Sequence, residues 1–146
     1  MVKLKDFTAF LTTSLFCITF VYGTGSDLNV GEYISKHKER IENAAPDDWK
    51  TYADCANALV SKKIVTDEII KWIDRSISIR ETMYNRTVKG DYLVLKGAIR
   101  AGQAEYVRAI ELAKQENRNE EISTIQWKIM ISMGIENLNK FQAESQ

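Results

Sequence analysis

The stretch from Pro46 to Arg80 constrains the fold most, because its apolar residues follow the spacing of two short helices. Proline suits a first helical turn, where its missing N–H has no partner, and the acidic residues after it suit the positive end of the helix dipole. We expect Asp47 to cap this turn. The apolar and small residues that share one face of the first helix are Trp49, Tyr52, Ala53, Ala56, Leu59 and Val60.

A second helix is predicted to follow at once, with Thr66 as its N-cap and acidic residues in its first turn. Its apolar row consists of Ile69, Ile70, Ile73 and Ile77. Because short connections make neighbouring helices antiparallel, the two segments predict a helical hairpin. We expect Trp49 and Trp72 to lie within it and to supply much of the buried area of a small core.

The same periodicity predicts helices on both sides of this hairpin, which makes the fold class all-α, with antiparallel helical hairpins. The predicted segments are 30–43, 85–102, 103–116 and 119–139. We expect Asn85 to cap the helix that it begins and Gly102 to end that helix in the left-handed conformation. Gly134 is expected to kink or interrupt the last helix.

The N-terminus predicts export. Lys3 and Lys5 precede an uncharged run from Phe7 to Tyr22, and Gly23 supplies the small residue that a signal peptidase needs. We therefore assign 1–23 to a signal peptide, 24–45 to a leader and first helix, and 46–143 to the helical domain. The predicted mature protein is periplasmic or secreted and makes no membrane contact after cleavage. An uncleaved anchor is the alternative.

Composition argues against several functions. The net charge is zero, so the chain has no bulk attraction for nucleic acid or anionic membrane. After cleavage it keeps one histidine, His37, and one cysteine, Cys55, and no catalytic or metal-ligand set follows from them. We predict no enzyme activity, no cofactor and no metal, with an enzyme of undetected type as the remaining alternative.

Three single residues have open interpretations. We expect His37 to be solvated on a charged face, between Lys36 and Lys38. Cys55 is interpreted as a small buried apolar residue, and an intermolecular disulfide or a reactive thiol is the alternative. Asn85 begins an Asn-Arg-Thr sequence that would accept an N-glycan in a eukaryotic secretory pathway.

A repeat runs through the central helices. The segment Trp72–Ile79 aligns with Glu105–Leu112 at an offset of about 33 residues, with Ser76 opposite Ala109. This period, with one helix pair per unit, resembles the tetratricopeptide repeat. The resemblance implies about two repeats and a capping helix.

A second resemblance is carried by short segments of the same region. Trp49-Lys-Thr-Tyr52, Lys71–Ser78 and Tyr84-Asn85 are similar to the helical C-terminal tail of an uncharacterised family of exported bacterial proteins. The likeness covers roughly residues 46–115, and the β-rich domain that precedes the tail in that family has no counterpart here. It implies a helical fold and export, and it implies no activity.

Stacked helical hairpins present a curved surface that is lined by the first helix of each pair. The predicted lining residues are Asp54, Asn57 and Ser61, then Lys89, Tyr92 and Lys96. An extended peptide or a partner helix would lie there, with Asn57 and Lys89 holding its backbone or a carboxylate. The alternative is that Tyr92 is a core residue and that the lysines are solvated.

Trp127 is a second candidate anchor, because interface hot spots favour tryptophan. The alternative is that it packs as a lid over the second hairpin. Together these patterns predict a non-catalytic exported module that binds a protein or peptide partner. A self-associating structural or accessory protein of the cell envelope is the alternative function.

Overall fold

The computed structural model describes residues 29–145, and within this range the regular elements are six α-helices with no strand. They are α1 (Val30–Glu42), α2 (Trp49–Ser61), α3 (Asp67–Ile79), α4 (Met83–Leu95), α5 (Ile99–Gln115) and α6 (Asn119–Glu144). The prediction of an all-α fold is confirmed. The predicted signal peptide lies outside the described residues.

The N-terminal caps fix where the helices begin. Asn29 Oδ1 accepts the amide of Glu32 at 3.3 Å at the start of α1. Asp48 Oδ1 accepts the amide of Thr51 at 3.0 Å at the start of α2. The prediction that Asp47 caps α2 is therefore wrong by one residue, and the preceding proline lies in the turn before the helix.

Helix α4 begins earlier than predicted, because Thr82 and not Asn85 is its N-cap. Thr82 Oγ1 accepts the Asn85 amide at 3.2 Å, and Asn85 Oδ1 accepts the Thr82 amide at 2.9 Å, which is the reciprocal pattern of a capping box. The Asn85 side chain is fully buried, so the folded chain leaves no space for a glycan on it. Thr66 does occupy the N-cap of α3, but its hydroxyl makes no cap hydrogen bond.

The segment predicted as one helix over 85–102 belongs to two helices. Gly97, at φ 88°, turns the chain from α4 into α5. Gly102 lies inside α5, where a Cβ would come within 2.6 Å of Val94 Cγ2 and 2.9 Å of the Gly90 carbonyl oxygen. Gly102 therefore allows close packing and does not end a helix. Helix α6 continues unbroken through Gly134.

Three helices end with the same backbone motif. A residue with positive φ follows α2, α4 and α5, namely Lys63, Gly97 and Asn117. In each case the next amide reaches back five residues, as from Ile64 to the Leu59 carbonyl at 3.1 Å. This is the Schellman pattern, which satisfies the last carbonyls of a helix. It turns the chain from α2 into α3, from α4 into α5 and from α5 into α6.

The helices pack as hairpins in chain order. Helix α2 pairs with α3, α4 pairs with α5, α6 packs on α5, and α1 packs on α2. One core, which includes Leu59, Ile73 and Tyr92, lies among α1–α4, and a second, around Tyr106 and Ile125, lies among α4, α5 and α6.

The two tryptophans of the first hairpin have different environments. Trp72 is buried in the first core, as predicted. Trp49 is only half-buried at the start of α2, where the guanidinium of Arg80 lies 5.7 Å from the centre of its ring. A cation at this distance is attracted electrostatically to the face of the aromatic ring. Trp49 therefore keeps one surface available outside the core.

Two expectations about single residues have clear outcomes. The expectation that His37 is solvated is wrong, because the side chain is buried on α1 with its ring 4.7 Å from the ring of Tyr33. Burial and the neighbouring Arg40 and Lys36 lower its pKa. Cys55 is fully buried, as its apolar interpretation required, and burial raises the pKa of its thiol. Within residues 29–145, no helix combines the length and apolarity of a membrane span.

Candidate binding groove

Helices α2, α4 and α6 meet around a groove of about 540 Å³, which we call the α2–α4–α6 groove. Two or more residues from each helix line it, including Trp49, Asp54, Tyr84, Thr87, Thr124 and Lys128. Buried Met83 and Ile125 contribute apolar surface between the helices. The first helices of both hairpins therefore share a groove with the closing helix.

A second depression of about 460 Å³ continues along the same three helices. Ser61 from α2, Leu95 from α4 and Ile135 from α6 line it, and Lys128 lines both depressions. Each helix gives earlier residues to the first depression and later residues to the second. The three helices therefore run side by side in one direction, and the two depressions follow one another along them.

A hydrogen bond between α2 and α4 fixes one wall of the groove. Asp54 accepts a hydrogen bond from the Tyr84 hydroxyl at 2.9 Å and another from Lys50 Nζ at 2.7 Å. Burial raises the pKa of Tyr84, and the hydrogen bond to the Asp54 carboxylate raises it further. The phenol therefore stays neutral at physiological pH and holds the two helices together.

A second polar cluster joins α4, α5 and α6. Lys128 Nζ donates to both carboxylate oxygens of Asp91, at 2.7 and 2.8 Å. The Tyr106 hydroxyl donates to Asp91 at 2.7 Å. Burial is the main cause that raises the pKa of Tyr106, and this hydrogen bond raises it further. This cluster lies between the two depressions. Its charges compensate each other, so the groove offers apolar surface between polar groups that already have partners.

The structure brings two of the three predicted α2 residues to this surface. Asp54 lines the first depression, and Ser61 lines the second. Asn57 lies on α2 between them, beside the hydroxyl of Tyr84. One helix of the predicted binding surface is therefore where the sequence placed it.

The predicted α4 residues lie elsewhere, beginning with Lys89. Its ammonium is 2.9 Å from Asp74 on α3 and 3.5 Å from Glu105 on α5. The side chain bridges α3 and α5, the second helices of the two hairpins. Lys89 is therefore an ion-pair residue between helices and does not line the groove.

Tyr92 and Lys96 also lie outside the groove. Tyr92 is 1% exposed in the first core, and its hydroxyl donates to the Thr66 carbonyl at 3.2 Å. Lys96 Nζ lies 5.8 Å from the centre of the Tyr92 ring and 3.8 Å from Asp67 on α3. The alternative interpretation of Tyr92 as a core residue is confirmed.

The groove contains α4 and α6 residues that the sequence analysis did not select. On α4 these include Tyr84, Thr87 and Leu95. Adding the repeat offset of 33 residues to Lys50, Asp54 and Ser61 leads to Met83, Thr87 and Val94, which also line the two depressions. The sequence therefore contained enough information to find the α4 side of the groove. Using it required applying the repeat offset to the predicted α2 residues and beginning α4 before Asn85.

Trp127 is 60% exposed and packs neither in the groove nor as a lid. It belongs to the outer face of α6, a set of exposed apolar residues that consists of Trp127, Met130, Ile131, Met133, Ile135, Leu138 and Phe141. The groove-facing side of the same helix holds Ile125 and Lys128. Ile135 also lines the second depression, so the two surfaces of α6 meet at this residue.

Comparisons with protein-family models, curated proteins and solved structures give no match for this chain. The resemblances to the tetratricopeptide repeat and to the exported bacterial family therefore stay predictions.

Proposed function

We propose that this protein is a non-catalytic, exported helical module that binds a segment of a partner protein in the α2–α4–α6 groove. The observation that carries the proposal is a groove of about 540 Å³ with an apolar floor and polar groups fixed at its walls. Pockets of this size, with a few well-placed polar groups, are typical of binding sites. The floor suits one large apolar side chain of the ligand.

Charge pairing at the rim favours a peptide over a polyanion. Each cation lies beside a carboxylate: Lys50 with Asp54, Arg118 with Glu121, and Lys128 with Asp91. A nucleic acid would need uncompensated cations to release its counterions. A peptide of mixed charge can exchange hydrogen bonds with these pairs while its apolar side chain fills the floor.

The arrangement of helices supports a tetratricopeptide-like assignment as part of the same proposal. Two consecutive hairpins, α2–α3 and α4–α5, are followed by α6, and the groove is lined by the first helix of each hairpin. Hairpin solenoids bind extended segments along this surface. The groove continues into the second depression, so a ligand longer than one side chain has room to follow α4.

Random-peptide display against the purified protein tests the proposal directly. We expect enrichment of short sequences that share one large apolar residue. Thr124→Trp fills the groove, and Ser78→Trp is the matched control because Ser78 is also an exposed hydroxyl residue, on α3 and outside the groove. Selected peptides should bind Thr124→Trp at least about tenfold more weakly than the wild type and bind Ser78→Trp unchanged. Equal affinity for both variants, or no enrichment at all, would reject the groove as the site.

A further inference from the structure

The outer face of α6 leaves an unusual amount of apolar surface uncovered. The exposed fractions of its residues run from 38% at Ile135 to 71% at Phe141. Summed over the seven residues, these fractions correspond to exposed surface on the order of 800 Å², spread over more than half of the circumference of α6, whereas the largest patch on a typical monomer covers roughly 300–600 Å². Terminal helices of hairpin stacks ordinarily have a polar outer side, which keeps the protein soluble. We therefore expect a binding partner to cover this apolar face.

The face has the spacing of a helix-pairing seam. Trp127, Ile131, Gly134, Leu138 and Phe141 follow one another at intervals of four, three, four and three residues. This is the alternation by which two helices pack along a common seam. Ile125 and Ser132 on the opposite side are buried against the rest of the molecule, so the seam faces away from it.

Charged residues of this part of α6 are engaged away from the seam. Lys128 pairs with Asp91, and Glu136 accepts from Arg100 at 2.9 Å and lies 3.1 Å from Lys140. No residue of the seam from Trp127 to Phe141 carries a charge. Two identical seams can therefore meet without burying an unpaired charge, which would be costly. A surface that is compatible with itself in this way suits a two-fold interface.

We propose that the occupant of this face is a second copy of the chain, paired α6 to α6 in antiparallel orientation. That orientation sets Trp127 of one copy beside Leu138 of the other, and Ile131 beside Gly134. A Cβ at Gly134 would meet nothing within 4 Å, so the glycine leaves room for the isoleucine of the other copy. A parallel pair would instead set tryptophan against tryptophan and glycine against glycine.

The available area is sufficient for a stable dimer. Covering the seam residues on both copies buries on the order of 1,000 Å², which is near the lower limit for a specific protein interface. The five seam residues do not line the α2–α4–α6 groove, whereas the neighbouring Ile135 lines the second depression. The dimer and the proposed peptide binding therefore depend on different residues and are tested by different variants.

Sedimentation velocity over a range of protein concentrations tests this pairing. We expect a reversible dimer with a dissociation constant at or below the micromolar range, and Leu138→Glu or Ile131→Glu should raise that constant by about 100-fold. Val107→Glu is the matched control, because Val107 is an apolar α5 residue with 51% exposure outside the seam. It should leave the dimer intact. Far-ultraviolet circular dichroism confirms that each variant is folded.

Three results would overturn the proposal. The first is a wild-type protein that stays monomeric, and the second is a dimer that survives both glutamate variants. The third is a dimer that forms only while residues 1–23 are retained, because the apolar N-terminal run would then be responsible. Orientation is tested by oxidising an equal mixture of Trp127→Cys and Leu138→Cys proteins. A mixed disulfide dimer is expected, whereas cross-linking of each variant with itself alone would contradict antiparallel pairing.

Discussion

Asn85 connects the ends of three helices through a buried hydrogen-bond network. Its side-chain nitrogen donates to Ser76 Oγ at 3.1 Å and to the Arg80 carbonyl at 2.7 Å, while Oδ1 accepts the Thr82 amide. The Ser76 hydroxyl donates in turn to the Trp49 carbonyl at 2.7 Å. The network therefore joins the start of α2 to the end of α3 and the start of α4.

Asn85→Ala should lower the free energy of unfolding by about 2–3 kcal/mol, because it leaves buried donors and acceptors without partners. Urea unfolding followed by circular dichroism measures the change. Asn139→Ala, at an exposed position of α6, should change stability by less than about 0.5 kcal/mol. A similarly small loss for Asn85→Ala would show that the network contributes little.

Periodicity predicted the buried apolar residues and missed the buried polar ones. Leu59 and Ile73 lie in the core, where their spacing placed them. Asn85 and Thr82 are both good capping residues, and which of them caps α4 depends on contacts with α3 that no local pattern contains. His37 was placed in solvent because of the lysines beside it, although it lies four residues after Tyr33, on the same side of α1.

Close packing of α4 on α5 depends on two glycines that face each other across the helices. A side chain at Gly102 would meet Val94 Cγ2 at 2.6 Å and the Gly90 carbonyl oxygen at 2.9 Å. Real Cβ contacts of this length are not tolerated, so the backbone of one helix would have to move. Gly90 and Gly102 therefore allow the backbones of α4 and α5 to pack closely.

Gly102→Ala should therefore lower the free energy of unfolding by about 2 kcal/mol, despite the better helix propensity of alanine. Gly134→Ala is the matched control, because a Cβ there meets nothing and alanine should add about 0.5–1 kcal/mol. Both changes are measured by urea unfolding in a Leu138→Glu background, so that association does not contribute. A stabilising Gly102→Ala would contradict the close approach.

Glu81 ties the α3–α4 connection to α4 and α5. Its carboxylate accepts from Arg108 at 2.7 and 3.0 Å and lies 2.7 Å from Arg86. The hydrogen bond from Arg108 is the largest cause that lowers the pKa of Glu81 from 4.5 to about 2, and Arg86 adds to it. The charged form is therefore favoured by the folded state.

Because the folded pKa of Glu81 lies below its unfolded value, the carboxylate stabilises the fold above pH 4.5 and loses this contribution as the pH falls toward 2. Glu81→Gln should cost about 1 kcal/mol at neutral pH and flatten the fall in stability over that window. Urea unfolding at a series of pH values checks this, with the exposed Glu39→Gln as control. Parallel wild-type and Glu81→Gln curves would contradict the assignment.

The helix boundary between α4 and α5 shows what a local pattern cannot decide. Gly102 was predicted to end a helix, whereas the structure has the turn at Gly97, whose φ is left-handed. Gly102 is required by its packing against Gly90, which is a tertiary contact. The late start predicted for α4 excluded Tyr84, whereas Thr87 and Leu95 lie inside the predicted helix and were missed because another of its sides was selected.

At the scale of the whole molecule, the sequence predicted that the first helices of successive hairpins share a surface. Asp54 and Ser61 lie on that surface in the structure. Lys89 and Lys96 do not, because those positions of α4 face α3 and α5. The two faces of α6 were also hidden in the sequence, since its apolar residues on more than one side gave no single direction.

The central claim is that ligands bind between α2, α4 and α6, and nuclear magnetic resonance mapping tests it most directly. A peptide selected by display is titrated into the isotope-labelled protein, and amide shifts are followed. We predict the largest changes at the groove residues Lys50, Thr87 and Thr124. The largest changes around Lys89, with the groove amides unmoved, would contradict the account.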